Sequence, residues 1–294
     1  MMKILILGSE GFVGNNLVDG LSKNHQIVCG DVLESSNHDN YHQINIKDLQ
    51  SVNKITQNVD VVVDLVAHSL TSSLNGSIEN AEINIIGLLN VLESCRTNNV
   101  KKIIFSSASS LIGEPESYHV SENHIPTPKT AYGITKLASE HYLRLYFELY
   151  GINYTVFRFF NIYGPYQKNG LIPTLYKKIV ENKPITVFGK GDQVRDYVFI
   201  EDIIPFFDIV SSTKTGENSV FNMGTGQGTT ILEIINMMSN YLNVKSDIEF
   251  NPPRPGEIGN FVSDTTNLKK IFNQIPNTPV QQGLAKTIDW LKQH

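Results

Sequence analysis

The sequence predicts an α/β protein, a doubly wound parallel sheet followed by a smaller mixed α/β lobe. Three observations carry that prediction. Short, nearly uninterrupted apolar runs rich in β-branched residues recur at Lys3–Leu7, Gln26–Gly30, Val59–Val66, Lys101–Ser106 and Asn153–Phe159; strands written this way are buried on both faces, as in a parallel sheet. Helix-length amphipathic stretches lie between them, among them Phe12–Leu21, Glu79–Asn98 and Ala131–Tyr150, and that alternation describes a sheet covered on both sides. After Phe160 the pattern breaks, and Gly164-Pro165, Gly189-Lys190-Gly191 and Pro252-Pro253-Arg254-Pro255-Gly256 punctuate shorter elements. The expected division is residues 1–165 for the sheet domain and 166–294 for the lobe, with some chain near 195–225 returning to the sheet. The lobe's loops would face the C-terminal ends of the parallel strands, where such sheets bind ligands. No internal repeat is present.

Composition narrows the function classes. Lys and Arg number 24 against 29 Asp and Glu, a net charge of −5 without a basic cluster. This speaks against a nucleic-acid partner, whose phosphates need a cationic surface. An anionic small ligand would be held by a few placed cations instead. The two cysteines, Cys29 in a strand-like run and Cys95 in a helix-like one, read as small buried hydrophobes and not as a disulfide framework or a thiolate metal site; no metal is expected. Val59–Ala67, the longest apolar run, is far short of the roughly 20 residues that span a bilayer. Lys3–Leu7 is too short for a signal peptide. A cytoplasmic protein without membrane contact is the expectation.

Gly8-Ser9-Glu10-Gly11-Phe12-Val13-Gly14 follows the first strand and opens the first helix. In a dinucleotide site Gly8 permits the tight turn, Gly11 lets a pyrophosphate approach the backbone, and Gly14 lets helix and strand pack closely. The helix N-terminus offers amides and the positive end of a dipole. Asp31 ends the second strand, 17 residues after Gly14, where a carboxylate accepts hydrogen bonds from the adenosine ribose. The sheet domain is therefore expected to be of the Rossmann type. NAD is the expected cofactor, because a 2′-phosphate would bring about 1.5–2 negative charges next to Asp31, and no Arg or Lys follows in Val32–Ser36 to offset them.

Tyr132-Gly133-Ile134-Thr135-Lys136 sets a phenol and an ammonium four residues apart, on one face at a helix start. A tyrosine that serves as a base at neutral pH needs its pKa lowered by about three units from ~10, roughly 4 kcal/mol. A lysine within about 4 Å, at an effective dielectric of ~20, supplies that order of energy, and an oxidised nicotinamide would add positive charge. Such a tyrosine can remove a hydroxyl proton while hydride leaves the same carbon. Alone, this spacing is a common surface pair. After a glycine fingerprint and a serine-rich strand end, it reads as catalytic.

These motifs, with Asp60–Ala67, Glu82–Glu93, Ser106–Gly113, Arg158–Pro165, Gly189–Asp202 and Arg254-Pro255-Gly256-Glu257, cover nearly the whole chain. Together they resemble the extended short-chain dehydrogenase/reductases, in particular the nucleotide-sugar epimerase/dehydratase group. The resemblance implies that Phe12, Val13, Asn45, Ile46, Leu65, Ala67, Ser106 and Phe159 join Gly8, Gly11, Gly14 and Asp31 around NAD, and that Lys136 also binds the nicotinamide ribose. It implies that Asn161, Leu171, Thr186, Phe188, Arg195, Tyr197, Arg254 and Glu257 hold the sugar nucleotide. Asn45 stands where the group usually has Asp. Arg195 and Arg254 would meet the diphosphate through charge-assisted contacts; an ion pair of Arg195 with Asp196 or Asp202 is the competing reading. His68 reads either as a sugar contact or as a loop histidine.

One position departs from the group. Its Ser or Thr, five residues before the glycine of the strand-end motif, falls here on Ala108, among Ser107, Ser109 and Ser110. Ser110 would share Ala108's face if the strand continued, so Ser110, then Ser109, are the candidates for the missing hydroxyl. The expected reaction is reversible C4 epimerisation of a nucleotide sugar, a UDP-sugar, through a transient 4-keto sugar. A 4-keto-sugar reductase using the same Tyr132 and Lys136 is the alternative within the group. A non-catalytic NAD or nucleotide-sugar binder, having lost the hydroxyl at Ala108, is the alternative outside it. Dehydratases and decarboxylases of the group carry an acid just after the hydroxyl residue, where this chain has Ser109 and Ser110. The group further implies a homodimer through a four-helix bundle of Glu79–Asn98 and Ala131–Tyr150.

Overall fold

Seven strands form the central sheet: β1 (Lys3–Leu7), β2 (Gln26–Asp31), β3 (Tyr41–Gln43), β4 (Val61–Asp64), β5 (Lys102–Ala108), β6 (Asn153–Phe159) and β7 (Ser219–Met223). The computed structural model describes residues 1–73, 76–252 and 259–294. The order across the sheet is β7-β6-β5-β4-β1-β2-β3, every neighbouring pair parallel. The strand order reverses between β1 and β4, so the carboxyl ends of these two strands border a crevice, the usual ligand site of an open parallel sheet.

Side chains alternate across each strand. Ile4 and Ile6 point to one face of β1, Leu5 and Leu7 to the other, and all four are fully buried. Five helices cover the faces: α1 (Phe12–Leu21), α2 (Leu49–Ile55), α3 (Leu88–Thr97), α4 (Ala131–Tyr150) and α5 (Ile204–Ser212). α1 and α5 bury Leu17, Val18, Phe206 and Phe207 in the first cluster, while α2, α3 and α4 bury Val52, Val91, Leu92 and Leu143 in the second. Gly20 sets the distance between α1 and α5, since a Cβ there would stand 2.5 Å from Ile204 Cγ2.

The apolar run 59–66 is a strand only at Val61–Asp64. Before it, Asp60 accepts from the Lys3 amide at 2.7 Å. After it the chain turns across the crevice, with the Val66 amide donating to Asp64 Oδ1 at 3.0 Å.

The remaining strands are short. Asn161–Tyr163, Val194–Phe199 and Gly228–Thr230 make a mixed sheet, and Ile185–Phe188 pairs in parallel with Ile248–Asn251. Helices Leu171–Val180, Ile231–Leu242 and Val280–Leu291 pack around them. β7 returns to the edge of the central sheet beside β6. Phenylalanines hold it there: Phe157 meets Phe207 at 5.1 Å and Phe221 meets Phe272 at 5.0 Å between ring centroids, within the spacing favoured for aromatic pairs. One apolar cluster runs from Ile4 in the sheet to Leu284 and Ile288 in the last helix.

Candidate active site

The turn after β1 is built by its glycines. Gly8 has φ +81°, and a Cβ on Gly14 would stand 2.1 Å from Gly8 O, a contact no side chain tolerates. Gly14 thus seats α1 against the turn, and Gly11 presents bare backbone at the helix N-terminus. Beyond lies a cavity of about 550 Å³ whose walls include Gly8, Gly11, Asp31, Asn45, Ile46, Leu65 and Ala67. Asp31 is held by the Glu10 amide at 3.1 Å and the Val32 amide at 2.7 Å. Ile46 is braced by Gly87, where a Cβ would lie 2.7 Å from Ile46 Cγ2, and by Asn90, whose amide donates to Ile46 O at 3.0 Å. Asn45 closes its own turn, Oδ1 accepting from the Lys47 amide at 3.0 Å. A glycine cradle at a helix N-terminus, a fixed carboxylate and an apolar slot fit the diphosphate, ribose and base of a dinucleotide. His68 lies in this wall and not in the next cavity; its backbone is pinned by Asn84 at 2.7 Å and Asn80 at 3.0 Å.

A second cavity of about 340 Å³ shares Leu65 and Ala67 with the first and is also walled by Phe12, Val13, Ser106, Ala108, Ser109, Ser110, Tyr132, Phe159 and Asn161. Thr130 caps α4 by accepting from the Gly133 amide at 3.1 Å, which places Tyr132 in the first turn. Gly133 lets that turn ride on the chain after β5, because a Cβ would stand 2.6 Å from Ser110 O. β5 ends at Ala108, and Ser109–Leu111 is a single 3₁₀ turn. The strand-face argument for Ser110 therefore does not hold. The turn carries Ser110 to the chamber instead, where its hydroxyl is buried with no hydrogen-bond partner among the described residues, an arrangement native proteins rarely leave unused. Ser107 also lines the chamber, but its hydroxyl is taken, donating to Glu140 at 2.6 Å, and Arg158 grips the same carboxylate at 3.0 and 2.8 Å.

Lys136 lies beneath the chamber, 1% exposed. Its Nζ donates to Ser106 O at 2.6 Å, sits 4.4 Å from the Phe105 ring centroid, and is 5.7 Å from that of Tyr132. Burial draws the ammonium down to about 8, opposed by the charges of Asp64 and Glu140. Burial also pushes the Tyr132 phenol up to about 12. The lowering expected from a lysine at about 4 Å is not found: the ammonium bonds a strand carbonyl, and desolvation of the phenol wins. A base at neutral pH needs a further positive charge beside Tyr132.

A third cavity of about 400 Å³ shares Phe160, Asn161 and Ile162 with the second and adds Leu171, Arg195 and Tyr197. Asp196 is fully buried, its carboxylate taken by Thr225, Gly226 and Ser263 at 2.6–3.0 Å. Asp202 accepts from the amides of Asn277 and Thr278 at 2.9 and 2.7 Å. Both carboxylates in the competing reading of Arg195 are thus engaged elsewhere. Thr186 and Phe188 sit on strand Ile185–Phe188, outside the walls of these three cavities; Arg254 and Glu257 lie outside the described residues. Phe160 and Ile162, which line two cavities at once, escaped the sequence reading, although their place on either side of Asn161 was a signal. Among the described residues no group of His, Cys, Asp or Glu could hold a metal ion, and no helix is long and apolar enough to cross a membrane.

A family model described as the NAD-dependent epimerase/dehydratase family matches residues 4–224. The chain is 30% identical to UDP-glucose 4-epimerase from Thermotoga maritima, solved with UDP-glucose, over 99% of both chains and with a TM-score of 0.92. It is 28% identical to UDP-N-acetylglucosamine 4-epimerase from Methanobrevibacter ruminantium, in complex with UDP-N-acetylmuramic acid, over 99% of this chain and 98% of that one, TM-score 0.91. A tyrosine-to-phenylalanine mutant of UDP-glucuronic acid 4-epimerase from Bacillus cereus, bound to UDP-4-deoxy-4-fluoro-glucuronic acid and NAD, is 30% identical over 99% of both chains, TM-score 0.91.

Proposed function

The chain belongs to the NAD-dependent epimerase/dehydratase family, and from that premise we propose that it is a UDP-sugar 4-epimerase. The observation that carries this reading is the continuity of the crevice. The cavity at the glycine turn, the chamber under Tyr132 and the cavity at Arg195 share walls, through Leu65 and Ala67 on one side and Phe160–Ile162 on the other. A cofactor held at one end and a sugar nucleotide held at the other meet at Tyr132.

Gly8, Gly11 and Asp31 would hold the diphosphate and adenosine ribose of NAD, and Asn45 and Ile46 the adenine. Lys136 would bind the nicotinamide ribose. Bound NAD supplies a hydride acceptor, a hydride donor and the positive charge that Tyr132 lacks. Tyr132, as phenolate, takes the O4 proton while the C4–H bond breaks with its electron pair, leaving a 4-keto sugar. Ser110 aligns O4 in place of the hydroxyl absent at Ala108. Asn161, Tyr197 and Arg195 keep the nucleotide end in place while the ketone presents its other face. The C4–H bond then re-forms on that face, and Tyr132 returns the proton to O4. Ser109 and Ser110 offer no second acid or base, which favours epimerisation over dehydration. We read the protein as a cytoplasmic homodimer, built on the outer faces of Ser77–Thr97 and α4.

The test is direct. Protein loaded with NAD is given UDP-glucose, UDP-N-acetylglucosamine and UDP-glucuronate in turn, and the H4 couplings are followed by NMR. At least one sugar should be converted to its C4 epimer. If all three return unchanged while NAD binds tightly, the protein is a binder and not an epimerase.

A further inference from the structure

Among the described residues, eight that are not glycine have a positive φ, and seven of these are asparagines, whose short polar side chain tolerates the left-handed region. The eighth is Tyr166, at φ +67°. For a bulky side chain this conformation is costly, and it persists only where surrounding contacts impose it. Tyr166 lies in the loop 164–170, between the strand Asn161–Tyr163 and the helix Leu171–Val180.

The contacts that impose it come from outside the loop. The Tyr166 hydroxyl donates to Asp19 Oδ2 at 2.9 Å, and its ring lies 5.3 Å from the ring of Trp290 in the last helix. One residue earlier, Pro165 O accepts from Asn16 Nδ2 at 2.9 Å. Asn16 is 6% exposed, and its second amide hydrogen goes to Phe12 O, also at 2.9 Å. Both donors of this buried amide are thus spent, one on its own helix and one on the loop. Asn16 and Asp19 both belong to α1, the helix whose first turn meets the cofactor cavity, and Phe12 walls the chamber at Tyr132.

The other side of the loop is the third cavity. Gln167, Gly170 and Leu171 stand in its wall with Asn161 and Arg195. The Gln167 backbone amide donates to Gly164 O at 3.3 Å, and Nε2 reaches Ile162 O at 3.5 Å. Its Oε1 is buried with no partner among the described residues, an acceptor that a hydroxyl or N–H of a bound ligand would satisfy. The left-handed turn at Tyr166 decides where this side chain goes, because a right-handed residue there would send the following chain in another direction.

We propose that Asn16 and Tyr166 are positioning residues for the sugar-nucleotide site. They clamp the loop 164–170 to the cofactor helix and so hold Gln167 in the wall of the third cavity. The inference rests on the reading of that cavity as the place of the sugar nucleotide, and deepens it. Neither residue lines any of the three cavities; both act through the loop. The substrate wall is therefore set by the helix that seats NAD, and not only by the lobe to which the loop leads.

The experiment titrates UDP-glucose, UDP-N-acetylglucosamine and UDP-glucuronate into NAD-loaded protein by calorimetry. For the tightest of the three, Tyr166→Phe should weaken binding about tenfold, the worth of one hydrogen bond to a charged acceptor. KM should rise with it, while kcat and NAD affinity hold. Asp19→Ala should match that loss, and the double variant should lose no more than either single one. Asp19→Asn keeps an acceptor for the phenol and should bind as the parent does. Asn16→Leu cuts the other tie and should weaken binding by a like factor; if it does not fold, the Tyr166 and Asp19 variants carry the test. Unchanged sugar-nucleotide affinity in Tyr166→Phe overturns the inference. An equal loss of NAD affinity overturns it too, since the contacts would then be general supports of α1. A parent that binds none of the three sugar nucleotides defeats the proposed function and this inference with it, whereas a parent and variants that bind alike defeat the inference alone.

Discussion

Ala108 removes from the reaction chamber the hydroxyl that would align O4, and Ser110, in the next turn of chain, carries a buried hydroxyl with no partner among the described residues. A preorganised hydrogen bond of this kind is worth about 2–4 kcal/mol of barrier, roughly 10²–10³ in rate. Ser110→Ala is therefore expected to lower kcat at least ~10²-fold, while Ala108→Ser changes it little. A hundredfold gain on restoring Ala108→Ser would show instead that Ser110 is no substitute and that the natural protein runs without the contact. Sequence reasoning reached Ser110 for a reason that fails. The strand ends at Ala108, and the 3₁₀ turn that follows lies against Gly133, a contact from a helix that begins much later in the chain. Local periodicity cannot encode such a contact.

Among the elements, the best-placed constraint on the chamber is a buried ion pair. Arg158 on β6 holds Glu140 on α4, and Glu140 holds Ser107 at the end of β5, so three elements that frame Tyr132 are tied at one point. Both partners are more than nine-tenths buried. Removing one leaves the other charged and uncompensated, which typically costs 3–5 kcal/mol. Arg158→Ala should lose about that much stability in urea unfolding; a loss under 1 kcal/mol would mean that Glu140 finds water or another donor. α1 and α4 could be read to the residue, because a helical period met a glycine turn at one start and, in α4, a threonine cap and a left-handed Gly151 at φ +69°. The π turn at Glu82–Gly87 could not. Within it Asn84 donates to Thr135 of α4 at 3.0 Å, a contact with a helix far along the chain.

At the scale of the whole molecule, the sheet was legible because a doubly covered parallel sheet writes its strands as unbroken apolar runs, and the cofactor turn because its glycines answer a local steric demand. The walls of the substrate cavity were less so. Which lobe residues face the crevice depends on how the small sheets pack, so Phe160 and Ile162 were overlooked. The outer faces of Ser77–Thr97 and α4 leave Ile78, Ile134 and Leu149 at 79%, 55% and 60% exposure, apolar side chains that the proposed helix-to-helix dimer would cover. Light scattering should find a dimer, and Ile134→Lys with Leu149→Lys should convert it to monomer; a monomeric parent would contradict the assembly.

The central claim is that one hydrogen leaves C4 and returns to it within the closed site. Epimerisation of a UDP-sugar that the protein accepts, carried out in D₂O and followed by ²H and ¹H NMR, tests it most directly. The account predicts inversion at C4 with no solvent deuterium at any carbon and no net consumption of NAD. Deuterium at C4, or at C3 or C5 beside it, would contradict the account.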